Sequence, residues 1–226
     1  MAKNMMLYWG SGSPPCWKVQ IALEEKNLQG YHSKSLSFEK GEHKCEEVMK
    51  LNPRGQLPTF KHRDVVVNES FATCMYLENQ FKSQGTQLIP DDVKEQALVL
   101  QRAFETNTLQ QKMYDVLFYT YYIPEPERHD SALKRNMENL KTEVALWEGY
   151  LEKMGKGSFL AGRHFSLADV VFFPILAFLP RYGLSKERYL NLMAYYEMVK
   201  ERPSVKSSWP PHWVEKPTGG DTLKDL

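Results

Sequence analysis

Cysteine is scarce in this chain of 226 residues: three are present, Cys16, Cys45 and Cys74, an odd number too sparse to staple a chain of this length. That excludes a disulfide framework and leads to the expectation of a reducing compartment. A charge excess is also missing. Lys and Arg total 29 against 28 Asp and Glu, a formal net charge of +1, so neither a nucleic-acid grip nor a polybasic membrane patch is expected. Long apolar runs are lacking too. The most apolar stretch, 167–179, is interrupted by Asp169 and Pro174 and falls short of the roughly 20 residues that cross a bilayer, so it reads as a buried helix. The apolar opening run, 5–9, is too short for a secretory leader and has no small-residue cleavage site after it. A cytoplasmic protein is expected.

What is present is ordinary globular composition: 42% hydrophobic, 12% aromatic and 25% charged residues, enough to bury a sizeable core. At about 150 residues per domain the length suggests two unequal domains or one large one.

The first 85 residues alternate strand and helix signals, the mark of βαβ construction. Met5 to Trp9 reads as a strand, Gly10 to Pro15 as a Gly/Ser/Pro loop, and from Cys16 onward Trp17 with Ile21, and Val19 with Leu23, recur at the i, i+4 spacing of a helix. A weak second strand is expected around Ser33 to Phe38, then a short helix broken at Asn52-Pro53. Thr59 to Lys61 and Val65 to Asn68 flank Arg63-Asp64 and predict a hairpin, so the sheet is mixed. Ser70 is placed to cap a helix carrying Cys74, Leu77 and Phe81 on one face. The polar stretch after it contains Gly85 and Pro90, which sets the expected division: one domain over 1–84, a linker over 85–92, and a second domain over 93–226.

Beyond the linker the pattern is helical. Leu133, Met137, Leu140, Val144, Trp147, Leu151 and Met154 alternate four and three apart, the stripe of a packing face. A coiled coil would share that spacing, but Pro126 and Gly155 bound it within a compact chain, so an internal bundle helix is the expectation. Further helices are expected over 93–121, 166–178 and 185–202. The tail from Pro203 holds Pro210, Pro211 and Pro217 with Trp209 and Trp213 and is expected to be irregular. Its tryptophans either cover the ends of core helices or form a lid over a ligand.

Chemistry first suggests itself at Ser13-Pro14-Pro15-Cys16, between the first strand and the first helix, where unpaired backbone N–H groups and the helix dipole favour an anion. A dithiol oxidoreductase would place its attacking cysteine where Ser13 stands. A serine hydroxyl cannot exchange disulfides, but it can donate to a thiolate brought by a ligand and lower that thiol's pKa. Taken alone, Ser13 could equally be a helix cap. Ser166 with Asp169 has the spacing of a helix-start box. His43 with Cys45 has no further ligands at suitable spacing, so no metal is expected.

Asn52-Pro53-Arg54-Gly55-Gln56-Leu57-Pro58, Asn68-Glu69-Ser70-Phe71-Ala72 and Tyr76-Leu77-Glu78, following that loop, resemble the glutathione-binding domain of the cytosolic glutathione transferases. Phe165-Ser166-Leu167-Ala168-Asp169 is similar to the capping box and buried aspartate of their helical domain. The resemblance implies a thioredoxin-like α/β domain with a mixed sheet followed by an all-α domain, acting as a homodimer with glutathione as cosubstrate. Leu57-Pro58 is similar to the family's cis-proline, whose turn offers backbone groups to the cysteinyl backbone of glutathione as an added strand would. Glu69 and Ser70 resemble its acidic-hydroxyl pair for the γ-glutamyl end, an anion for the ammonium and a hydroxyl for the carboxylate. His43 matches a histidine of theta-like members and Lys44 a lysine of omega-like members, each facing the glycyl carboxylate; Gln56 is similar to a glutamine that touches the tripeptide backbone. Either cation could instead be solvated.

The run Leu7 to Ser13 through Trp17-Lys18-Val19 looks most like the serine-type rho class described from fish, which implies Ser13 as the catalytic hydroxyl. Ser11 is the alternative, and Tyr8, where tyrosine-type classes carry their hydroxyl, is held in reserve. Phe104, Thr108, Met113, Tyr114 and Phe118 are candidates for lining an apolar electrophile site, though a stripe at helical spacing is equally a core face. The expected reaction joins the glutathione thiolate to electrophilic small molecules, as in detoxification. Rival readings are a glutathione-dependent reductase using Cys16, an isomerase using glutathione as coenzyme, and a non-catalytic binder of hydrophobic ligands.

Overall fold

The computed structural model describes residues 2–226. In chain order these form β1 (Met5–Trp9), α1 (Pro14–Glu25), β2 (His32–Ser35), α2 (Glu46–Leu51), β3 (Thr59–His62), β4 (Val65–Val67), α3 (Ser70–Gln80), α4 (Val93–Leu117), α5 (Tyr119–Tyr122), α6 (Asp130–Met154), α7 (Leu167–Leu176), α8 (Phe178–Arg181), α9 (Leu190–Lys200), α10 (Pro203–Ser207) and α11 (Pro211–Glu215). They divide into two compact units, Met1–Ile89 with Lys200–Pro217, and Pro90–Val199 with Thr218–Leu226.

The first unit is a four-stranded mixed sheet in the order β2-β1-β3-β4. β1 runs parallel to β2 and antiparallel to β3, and β3 is antiparallel to β4 across the expected hairpin. Helix α1 begins at Pro14 rather than Cys16, because proline suits the first helical turn, where its missing N–H would have no intrahelical partner. Ser70 is the first residue of α3, and the N-cap is Glu69, whose extended backbone precedes the helix and whose carbonyl accepts from Thr73.

The buried Lys26 ammonium holds α1 to α3. It bonds the Glu78 carboxylate at 2.9 Å and the Thr86 carbonyl at 2.9 Å. Glu78 also accepts the Ile89 N–H at 3.3 Å. Glu78→Ala strands that ammonium and is expected to destabilise the protein by about 3–5 kcal/mol, read as a lowered denaturation midpoint. Lys26→Met with Glu78→Leu should recover most of the loss, since an apolar pair of similar volume removes the buried charge.

The tail expected to be irregular and to belong to the helical domain instead contains α10 and α11, and residues 200–217 pack with the first unit. The reason lies in α1. Arg202 gives the Glu25 carboxylate two bonds of 2.5 and 2.7 Å, and the Ser204 hydroxyl donates to the same group. Burial alone would raise the Glu25 pKa; these donors outweigh it and hold the carboxyl below its usual value. Trp17 donates to Ser208 Oγ at 3.0 Å and meets Trp209 and Trp213 edge-on, with centroids 5.1 and 5.5 Å apart. The tail tryptophans therefore cover α1.

The second unit is all helical, with α4 packed on α6 and α7. The expected stripe of α6 is its inner face: Leu140, Val144, Trp147 and Leu151 are buried, and Trp147 stacks on Phe172 at 4.3 Å. The helix expected over 93–121 stops at Leu117, where Phe118 leaves helical geometry at φ −113° and ψ 17°. That expected over 166–178 ends at Leu176, and α8 follows. The helix expected from Ser185 starts at Leu190, for two reasons. The Ser185 hydroxyl accepts the Arg188 N–H at 3.2 Å, a local turn that competes with helix. The Glu148 carboxylate of α6 then accepts the Asn191 and Leu192 N–H groups, each at 2.9 Å, and so caps α9 from a distant element.

Candidate active site

Strand register brings the sequence-predicted site segments to one end of the sheet. Trp9 pairs with Ser35 and Tyr8 with Thr59, while Phe60 pairs with Val67. The carboxyl ends of β1, β2 and β4 and the amino end of β3 therefore share one edge. From that edge emerge the loop 10–13, the 36–44 segment, the 55–58 turn and the start of α3. A crevice beyond the carboxyl ends of strands is the usual ligand position in α/β sheets.

The loop comes first. Ser13 is the N-cap of α1, with extended φ −78° and ψ 117°, and its side chain makes no capping bond. The hydroxyl thus takes no backbone N–H of the helix. Three residues on, Cys16 is wholly buried; its Sγ accepts the Gly10 N–H at 3.4 Å and is hydrogen-bonded to Ser13. Burial pushes the Cys16 thiol up to about 11 despite both bonds, so it remains protonated and is no nucleophile near neutral pH. Ser11 lies 2.7 Å from His212 Nδ1.

The Tyr8 hydroxyl is engaged by α2. It donates to Glu47 at 2.7 Å, and Glu47 also pairs with Lys34 at 2.5 Å. Burial, followed by that carboxylate, pushes the Tyr8 hydroxyl up to about 12. A phenol has one proton to donate, and here it is given to Glu47.

On the other side of the loop, a Cβ at Gly10 would stand 2.2 Å from the Phe38 ring, so only glycine allows that aromatic to cover the loop. The Phe38 ring in turn lies 5.3 Å from that of His43. His43 is half-buried, and its buried Nδ1 has no hydrogen-bond partner among the described residues; Lys44 beside it is exposed. Gly55 rests against Met49 and Lys44, which sets the 52–58 turn beneath this pair. Asn52 Nδ2 donates to the Gln56 carbonyl at 2.8 Å and fixes that turn, leaving the Gln56 side chain exposed. The Leu57-Pro58 bond is cis. Across the turn, Asn68 Nδ2 donates to the Leu51 carbonyl at 2.9 Å, anchoring the residue before Glu69. Glu69 is exposed, its carboxylate makes no cap, and Ser70 opens the eleven-residue α3. A carboxylate and a hydroxyl at a helix start can receive an ammonium and a carboxylate side by side.

In the second unit, the residues expected to line an electrophile site differ in exposure. Met113 is fully buried, whereas Phe104 is 56% exposed and Thr108 is exposed. Tyr114 and Phe118 meet edge-on at 5.2 Å, and Phe118 continues to Phe178 at 6.1 Å. Met113 is therefore core. Two residues of the first site escaped sequence reasoning. Phe38 carried only the signal of an aromatic in a polar stretch, and His212 only that of its tryptophan neighbours. Among the described residues no group of three or more His, Cys, Asp or Glu is placed to hold a metal, and no helix is long and apolar enough to cross a membrane.

Comparison with known proteins agrees with this arrangement. Residues 12–80 match the family model described as glutathione S-transferase, N-terminal domain, and residues 109–203 the one described as glutathione S-transferase, C-terminal domain. Glutathione S-transferase A of Pleuronectes platessa is 66% identical over 226 residues, the whole of both chains. A crystal structure of a glutathione S-transferase from the Antarctic clam Laternula elliptica superposes with a TM-score of 0.85 at 42% identity, covering 98% of this chain and 99% of that one. A delta-class glutathione transferase of Nilaparvata lugens superposes with 0.78 at 28% identity, covering 91% and 92%. A thioredoxin-like unit with its loop, cis-proline turn and acidic helix start on one edge, followed by a helical unit, is thus matched along the whole chain. The chain belongs to the glutathione S-transferase family and is a glutathione transferase, with glutathione as its cosubstrate.

Proposed function

We propose that this is a serine-type transferase of the rho kind described from fish, in which Ser13 stabilises the glutathione thiolate. The thiolate attacks an electrophilic carbon of an apolar small molecule. A sulfur–carbon bond forms, and either a leaving group departs or the adduct takes up a proton, which is a detoxifying conjugation. The observation that carries the reading is the Ser13 hydroxyl at the start of α1, which makes no capping bond and touches only the Cys16 thiol, set against a Tyr8 already bonded to Glu47. The Ser13 hydroxyl donates to the buried Cys16 sulfur here, and an incoming glutathione thiolate, a stronger acceptor than a protonated thiol, would draw that O–H to itself.

In this reading the Leu57 backbone beside Pro58 pairs with the cysteinyl unit of glutathione, and Gln56 touches its backbone. Glu69 and Ser70 hold the γ-glutamyl end, and His43 or Lys44 meets the glycyl carboxylate. Phe104, Thr108, Tyr114 and Phe118 remain candidates for the electrophile side. A homodimer in the cytoplasm completes the proposal.

The test is a panel of electrophiles assayed with glutathione, with the products identified. Conjugates support the reading, whereas isomerised or reduced products sink it. Glu69→Gln should raise KM for glutathione about tenfold with little change in kcat, since it removes a charge-assisted bond to a non-reacting end of the substrate.

A further inference from the structure

The Ser11 hydroxyl and His212 Nδ1 stand 2.7 Å apart, and the histidine lies on α11. Gly12, between the two loop serines, has φ +75°, and a Cβ there would fall 2.5 Å from His212 Cε1 and 3.1 Å from Trp213 Nε1. The imidazole and the indole edge thus rest directly on the loop backbone. The imidazole is exposed to solvent while the Trp213 indole is buried, so the contact with the loop is made at the surface and is backed by the indole. The tail is fastened to α1 by Arg202 and Ser204 on the Glu25 carboxylate, by Ser208 and by the Trp209 and Trp213 indoles set edge-on to Trp17.

We propose that His212 is a positioning residue for the sulfur-binding loop: by engaging Ser11 it holds residues 10–13 in the shape that turns Ser13, and not Ser11, toward the glutathione sulfur. The proposal rests on the reading of Ser13 given above. Two physical arguments support it. Gly10 and Gly12 leave the loop with more backbone freedom than any other residues would, so an external contact is needed to select one conformation. A donor misplaced by about an ångström loses most of its hold on a reacting atom. In addition, a hydroxyl has a single proton. If His212 Nδ1 is the acceptor, the Ser11 proton is committed to it; if Nδ1 carries the proton, the Ser11 oxygen is still fixed in place.

The experiment uses the full chain with one aryl halide electrophile and compares His212→Ala, Ser11→Ala, the double variant and His212→Asn, whose amide can still bond Ser11. The readouts are kcat, KM for glutathione and the ultraviolet absorbance of enzyme-bound thiolate at neutral pH. Expected are a drop in kcat of about tenfold in either single variant, KM for glutathione held within about twofold, and a parallel loss of thiolate absorbance. The double variant should be no worse than either single one, because both remove the same contact. His212→Asn should restore most of the activity. Multiplying losses in the double variant, or unchanged kcat and absorbance in His212→Ala, overturns the proposal. So does a loss that His212→Asn fails to rescue. If His212→Ala does not fold, Ser11→Ala and His212→Asn carry the comparison. Ser13→Ala separates the two readings: if it leaves turnover intact, the serine-type reading falls; if it abolishes turnover while the Ser11 and His212 variants do nothing, only the positioning role falls.

Discussion

Ser13→Ala should lower kcat/KM about a hundredfold while the protein stays folded and KM for glutathione changes less than about threefold. The magnitude follows from the type of bond lost. A neutral hydroxyl donating to a sulfur anion is a charge-assisted hydrogen bond, worth about 1.5–3 kcal/mol, and it exists only once the thiol has ionised. Its loss disfavours the anion, so the thiol of bound glutathione should titrate about 1–2 units higher. At neutral pH the thiolate fraction falls, and raising the pH should recover part of the rate, because above the new midpoint the anion forms without help. Glutathione affinity should survive because its grip is assigned to His43, Lys44, Gln56, Leu57, Glu69 and Ser70. The measurement is a pH profile of kcat/KM for wild type and variant. Coincident profiles would remove Ser13 from the mechanism.

The second large effect lies far from that loop in sequence. Asp169 is fully buried and accepts four bonds: from Leu160 N at 3.0 Å, Ser166 N at 2.8 Å, Ser166 Oγ at 2.9 Å and Tyr195 Oη at 2.8 Å. One carboxylate thereby joins the segment after α6, the start of α7 and the middle of α9. Alanine at this position leaves two backbone N–H groups and two hydroxyls buried without acceptors, each unmet donor costing about 1–3 kcal/mol. Asp169→Ala should therefore destabilise the helical unit by about 4–5 kcal/mol, among the larger effects of a single substitution. The check is a guanidinium midpoint followed by far-ultraviolet circular dichroism. Asp169→Asn should fall between, since its carbonyl keeps an acceptor and its amide turns a donor toward other donors. An unchanged midpoint for the alanine variant would mean that water replaces the carboxylate.

Those two residues also show what was legible in the sequence. Ser13 and Asp169 announce themselves through short-range grammar: a hydroxyl before Pro-Pro at a helix start, and a serine three residues ahead of an aspartate. The 59–62 and 65–67 hairpin was legible for the same reason, fixed within a few residues, whereas the cis Leu57-Pro58 turn came with the resemblance. The contacts that could not be read all join distant positions. Nothing near Tyr8 says that Glu47 will take its hydroxyl, and nothing near Ser11 points to His212. The start of α9 was misplaced because its cap comes from Glu148, a residue of α6. The end of α4 was misplaced because Tyr114, Phe118 and Tyr122 keep helical spacing across a break that only dihedral angles show. Glutathione chemistry itself came from the resemblance of whole motifs, and composition and periodicity would not have supplied it.

The packing of residues 200–217 on α1 has a consequence for how the molecule is made. The sheet is translated first, yet α1 keeps Trp17 and Glu25 without their partners until residues 90–199 of the helical unit have left the ribosome. The part of the enzyme that begins first is the part that matures last. In the interval a nascent chain carries a bare indole, the kind of exposed apolar surface that chaperones exist to shield. A stop codon ahead of residue 200 would leave every residue expected to touch glutathione in place and still deprive the cell of a durable protein.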